Sequence, residues 1–173
     1  MKTNDRSFAT ITKTDLKRLA NIARVDREDF FKRHAEWRLL YRARVLCTAL
    51  TGDAALHYTN GSSGIAEFDV FTFYAQNPEA PFPYYRVGRE DFGKPKFGRA
   101  RGDPATFTGR PVNLSGRDIE ARPADDPVDA LHAYLRRGAT PSARELRDSA
   151  VVIIDPPPLL GYVAWPTLAV ARK

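Results

Sequence analysis

From residue 45 to residue 83 the chain has no lysine and no arginine, although 27 of its 173 residues are basic. Four acids stand in that stretch: Asp53, Glu67, Asp69 and Glu79. The flanks have the opposite sign. Residues 1–44 hold 12 Lys/Arg against 6 Asp/Glu, and residues 84–110 hold seven against three. The net charge of +6 therefore arises around an uncompensated acidic centre. A basic balance of this kind favours anionic partners such as nucleotides, RNA or DNA.

Other absences narrow the field. A single cysteine, Cys47, rules out an internal disulfide, and its apolar setting in RARVLCTAL predicts a small buried hydrophobe. Three scattered histidines, His34, His57 and His132, argue against a structural zinc site, and His57 is expected to pack within its helix. No run approaches the roughly 18 apolar residues that span a bilayer, and MKTNDRSFATITKTD lacks the apolar core of a signal peptide. A cytoplasmic protein without a membrane partner is the expectation. Without a P-loop, a dinucleotide fingerprint or a Gly-x-Ser-x-Gly elbow, kinase, dehydrogenase and hydrolase readings have no anchor.

What is present suits one structural domain with a single core: a helical segment over residues 1–42 packed on a domain spanning 43–173. Thr14 or Thr12 can cap a helix through LKRLANIA, and Asp26 a second through EDFFKRHAEWRLLY. RARVLCTAL suits a buried strand or, by pattern alone, a short helix, while AALHY reads as a short helix, NGSSG as a turn and EFDVFTFYA as a strand. Residues 76–110 hold five prolines and five glycines and read as a long loop. PVNLSG suits a further strand. Helices follow at DPVDALHAYLRR and TPSARELRDSA, then two strands at AVVIID and GYVAWP. Helices mixed with short strands predict an α/β or α+β domain.

In a strand, successive side chains alternate between faces, so Glu67 and Asp69 share one face while Phe68 and Val70 share the other. Paired carboxylates without a local Lys or Arg raise each other's pKa, and a divalent cation relieves them. Mg²⁺ takes one or two carboxylates together with waters and substrate phosphates. The same alternation also describes a half-exposed strand whose acids are merely solvated. The basic loop interleaves Arg86, Arg89, Lys94, Lys96, Arg99 and Arg101 with Tyr84, Tyr85, Phe92 and Phe97. That mix can bind phosphates and stack a base, with Lys96 and Arg99 as the preferred phosphate contacts.

The run LTGDAALHYTNGSSGIAEFDVFTF resembles the signature of the nucleotidyltransferase superfamily with the DNA polymerase β-like fold, most closely its minimal and abortive-infection-type members. The resemblance implies a mixed sheet flanked by helices and transfer of a nucleoside monophosphate from an NTP to an acceptor: RNA, protein or small molecule. It implies Mg²⁺ or Mn²⁺ on Glu67 and Asp69, the triphosphate at Gly52, and a role beside a cognate partner in a bacterial defence or toxin-antitoxin pair. Two positions depart from the pattern. Asp53 stands where the family has a second Gly or a Ser. Asn113 stands where a third carboxylate serves as base, with Asp103 and Asp118 as alternatives. An amide cannot take a proton. Two rivals follow: a catalytically degenerate member that binds nucleotide, nucleic acid or a protein partner, and a metal-dependent nuclease using the same carboxylate pair.

Overall fold

The Thr12 hydroxyl accepts from the Asp15 N–H (3.3 Å) while the Asp15 carboxylate accepts from the Thr12 N–H (2.8 Å). This reciprocal capping box starts the first helix. In the computed structural model, which describes residues 5–83 and 87–166, that helix, α1 (Lys13–Arg33), runs without interruption through Asp26. No glycine or proline interrupts residues 13–33, so the hydrogen-bond ladder passes the expected second start. The break comes at His34, whose φ of −131° and ψ of 80° leave the helical region, and α2 (Ala35–Tyr41) follows.

Beyond this helical segment the chain forms β1 (Val45–Thr51), α3 (Gly52–Asn60), β2 (Phe68–Ala75), β3 (Val87–Asp91), β4 (Pro111–Ile119), α4 (Pro127–Arg137), α5 (Pro141–Arg147), β5 (Ala150–Asp155) and β6 (Tyr162–Trp165). One six-stranded sheet results, in the order β3-β4-β2-β1-β5-β6. β2 and β4 run parallel and every other neighbouring pair is antiparallel. The fold is thus a mixed α+β sheet with an N-terminal helical segment, as the sequence predicts. β3 was hidden in the irregular stretch. Its sequence, VGRED, has no apolar alternation, because an edge strand need bury neither face fully.

Alternation along the strands divides the core in two. Leu50, Phe68, Val70, Val112, Leu114 and Val152 face α1 and α3. Ala49, Phe73, Ala75, Ile119, Val151 and Ile153 face α4 and α5. A third, aromatic cluster joins Phe30, Phe31 and Tyr41 of the N-terminal helices to Tyr74 and Phe82. Each such fully buried aromatic contributes about 1.5–3 kcal/mol. Cys47 lies in the α4/α5 layer, and burial pushes its thiol up to about 12, so it is an inert core residue.

The two faces decide what the basic loop can do. Phe92 and Phe97 pack on Phe68, with ring centroids 5.1 and 5.2 Å away, and all three rings are buried. They hold the loop to the α1/α3 layer and have no free face for a base.

Candidate functional site: an acid-lined cleft at the glycine turn

β1 ends at Thr51 and the chain turns into α3 at Gly52, whose φ of +69° lies in the left-handed region that glycine adopts without strain. The turn also needs the missing side chain. A Cβ at Gly52 would stand 3.1 Å from the Asp69 Oδ2 atom. The Thr51 hydroxyl donates to the Asp69 carbonyl (3.1 Å) rather than capping α3, which leaves the first turn of that helix without a side-chain cap.

Asp69 is the hub of the arrangement. Antiparallel pairing sets it opposite Thr51 on β1, and parallel pairing sets it opposite Asn113 on β4. The Asn113 Nδ2 donates to the Asp69 Oδ1 at 3.0 Å. One strand further out, Arg89 of β3 pairs with Asn113. By alternation these side chains share the face on which α4 and α5 pack. A cleft of about 540 Å³ opens on this face, between the sheet and α5.

The glycine turn, Glu67, Asp69, Phe71, Asn113 and Ser115 line one side of the cleft, and Ser142, Glu145, Asp148 and Ser149, in and just after α5, line the other. Five of its residues are acids: Asp53, Glu67, Asp69, Glu145 and Asp148. Arg6 is the one cation lining it among the described residues. Burial, above all, together with the negative charges of Glu67 and Asp53, holds the Asp69 carboxyl above its usual range. The Asn113 hydrogen bond and Arg89 pull the other way without cancelling that rise.

Most of the residues singled out in the sequence meet here. Gly52, Asp53, Glu67, Asp69 and Asn113 all line the cleft. Glu67 sits one residue before β2 rather than inside it, half-buried and without a hydrogen-bond or ion-pair partner among the described residues. Lys96 and Arg99 are elsewhere. The Lys96 ammonium donates to Asp15 at the start of α1 (2.6 Å), on the sheet face away from Asp69, and Arg99 donates to the Pro104 carbonyl (2.7 Å). Of the alternative bases, Asp103 caps its own loop at the Ala100 N–H, and Asp118 accepts from the Tyr41 hydroxyl and the Phe82 N–H. Neither lines the cleft. Tyr84, Tyr85 and Arg86 lie outside the described residues.

His57 is structural. Its Nδ1 accepts from the Gly64 N–H (3.3 Å), so the proton is on Nε2, which donates to the Ala9 carbonyl (3.1 Å). Sequence reasoning missed three parts of the cleft: Arg6, the partly exposed ring of Phe71, and the α5 wall. Only Phe71 had a local signal, since the alternation that pairs Glu67 with Asp69 also sets residue 71 on their face.

Among the described residues no three His, Cys, Asp or Glu side chains form a ready-made metal cage. A divalent cation here would rest on Glu67 and Asp69 and complete its shell with water and phosphate oxygens. That ligand set is ordinary for Mg²⁺ and poor for Zn²⁺. Asp69, destabilised as an anion, and Glu67 fit such an ion, since among the described residues only the Oδ1 of Asp69 is engaged and Glu67 has no partner. Comparison with family models, with curated proteins and with solved structures gives no match.

Proposed function

We propose that this cleft binds a nucleoside triphosphate with Mg²⁺ or Mn²⁺ and that the protein is a nucleotidyltransferase that moves a nucleoside monophosphate to an acceptor hydroxyl. One observation carries the reading. A strand ending in a glycine turn, a short helix, an antiparallel strand bearing the acids and a parallel strand at their side bring Thr51, Asp69 and Asn113 into one row, with Gly52 backed against the Asp69 carboxylate. The strand, glycine turn, helix and acid-bearing strand follow the order of elements that the sequence resemblance implies.

The chemistry follows from the groups in the cleft. Glu67 and Asp69 would hold the metal, which when bound supplies the positive charge that an acid-lined cleft lacks for phosphate oxygens. The uncapped first turn of α3 offers N–H groups to an anion. Phe71 offers a ring face to the base, and Arg89, paired with Asn113 one strand out, adds positive charge near Asp69. Asn113 orients Asp69 but cannot accept a proton. The carboxylates left for that task are Glu145 and Asp148 on the opposite wall, where an acceptor would enter.

The Asn113–Asp69 hydrogen bond also favours a second reading: a binding protein of the same architecture that holds nucleotide without turning it over. Calorimetry separates these readings from none. Mg²⁺-dependent NTP binding that is abolished by Asp69→Ala supports the site, and no NTP binding by the wild type sinks it. Incubation with labelled NTPs and bulk RNA, protein or small-molecule acceptors then divides enzyme from binder.

A further inference from the structure

Asp53 is the residue of the cleft that ought to repel a triphosphate, and its surroundings show how the chain deals with it. The Arg6 Nη1 lies 3.0 Å from the Asp53 Oδ2. The same nitrogen donates to the Ser63 and Gly64 carbonyls at 3.5 and 3.4 Å. Arg6 is carried there by an N-terminal strap. Ser7 and Ile65 exchange backbone hydrogen bonds of 2.9 and 2.8 Å, and the Arg110 Nη1 donates to the Asp5 carbonyl at 2.7 Å. Gly64, at φ +72°, makes room for the strap, because a Cβ there would come within 3.0 Å of Arg6 and of the Phe8 ring.

We infer that Arg6 is a phosphate-binding residue of this cleft, held by Asp53 in the ligand-free protein and passed to the triphosphate when it binds. The inference rests on the nucleotide-binding reading above. All the polar contacts of Arg6 go through Nη1, and its Nε and Nη2 have no hydrogen-bond partner among the described residues. Half of a planar fork suited to two phosphate oxygens is therefore unused. The pair with Asp53 is open to water, with side chains 35% and 55% exposed, and such a pair is weakly held. A triphosphate offers several oxygens to the whole fork, where Asp53 engages one nitrogen of it, so the exchange favours the ligand. The fixed strap means that Arg6 needs only a side-chain rotation to make it.

The test is calorimetric titration with inorganic tripolyphosphate and with ATP, both in Mg²⁺. Arg6→Ala is expected to weaken tripolyphosphate about 10- to 100-fold, the usual range for a charge-assisted contact, with Arg6→Lys recovering part of the loss. Asp53→Asn is expected to tighten binding, and by more in the Arg6 protein than in Arg6→Ala, because only the former has an arginine to release. Wild-type binding that Arg6→Ala leaves unchanged overturns the inference alone. So does an equal gain from Asp53→Asn in both backgrounds, which reduces Arg6 to a strap residue. A wild-type protein that binds neither ligand overturns the nucleotide reading, and this inference with it.

Discussion

The Asn113 amide donates a 3.0 Å hydrogen bond to the Asp69 carboxylate across the parallel pair β2–β4. It holds in the ligand-free protein a carboxylate that burial and two neighbouring acids disfavour as an anion. Asn113→Asp exchanges that donor for a third negative charge. The variant is expected to be less stable than the wild type without divalent ions at neutral pH. It is also expected to gain more in Tm from added Mg²⁺, because a cation would neutralise three carboxylates instead of two. Thermal melts with and without Mg²⁺ measure both. A variant that loses stability and gains nothing from Mg²⁺ speaks against a cation at Asp69.

Asp69 itself gives a pH prediction with a definite sign. Its folded pKa is raised, first by burial and then by Glu67 and Asp53. A carboxyl of this kind binds its proton more tightly in the folded state. Stability therefore falls as pH rises from the unfolded carboxylate value through the folded one, and the full cost is present above both. Asp69→Asn removes the cost and retains a carbonyl oxygen for the Asn113 donor. It should raise Tm at neutral pH, at roughly 2–4 °C for each kcal/mol relieved in a chain of this length. Below the unfolded carboxylate range the two proteins should melt together, and Mg²⁺ binding should be lost throughout. Equal melting temperatures at neutral pH would show that Asp69 is not strained by its charge.

Much of this site could be read from the sequence, and its gaps have identifiable causes. That Glu67 and Asp69 share a face follows from strand alternation, which is local, whereas Asn113, 44 positions from Asp69, is reached only through the family resemblance. Arg6 lies 47 positions before Asp53 and reaches it through a strap with no periodic pattern, so nothing near either residue announces the contact. The basic loop misled for a related reason. In a strand or helix, spacing tells which aromatics face inward, but the irregular run around Phe92 and Phe97 has no period, and both rings proved to be core. The continuous α1 reflects a third cause: Asp26 is a good helix cap, yet a cap residue does not start a helix where the preceding ladder has no reason to stop.

Lys96 separates a structural cation from a ligand contact. Burial opposes ionisation of Asp15, yet the Lys96 ammonium and the Thr12 cap outweigh it and hold that carboxyl below its usual range. A lowered carboxylate stabilises the fold above its unfolded pKa, and the contribution is lost as pH falls through the folded value. Lys96→Met should cost about 1 kcal/mol at neutral pH, the low end for a charge-assisted bond whose lysine is partly exposed. The difference from wild type should shrink in acid. Tripolyphosphate affinity should not change, and a loss of affinity would return Lys96 to the ligand site.

Phe71 gives the sharpest separation between a nucleotide site and a generic phosphate site. Its ring is partly exposed, lines the cleft, and lies two residues from Asp69 on the same strand face, about 7 Å along β2. That distance suits phosphates at Asp69 with a base resting over the ring. Its stacked neighbour Phe73, with ring centroids 6.0 Å apart, is fully buried and keeps the Phe71 ring from turning into the core. Base–aromatic stacking contributes about 1–3 kcal/mol, so Phe71→Ala should weaken ATP roughly 5- to 100-fold. Tripolyphosphate has no base and should bind the variant as it binds the wild type. Calorimetry on the two ligands reads the difference directly. If both affinities fall together, Phe71 shapes the cleft; if neither falls, the base does not rest on Phe71.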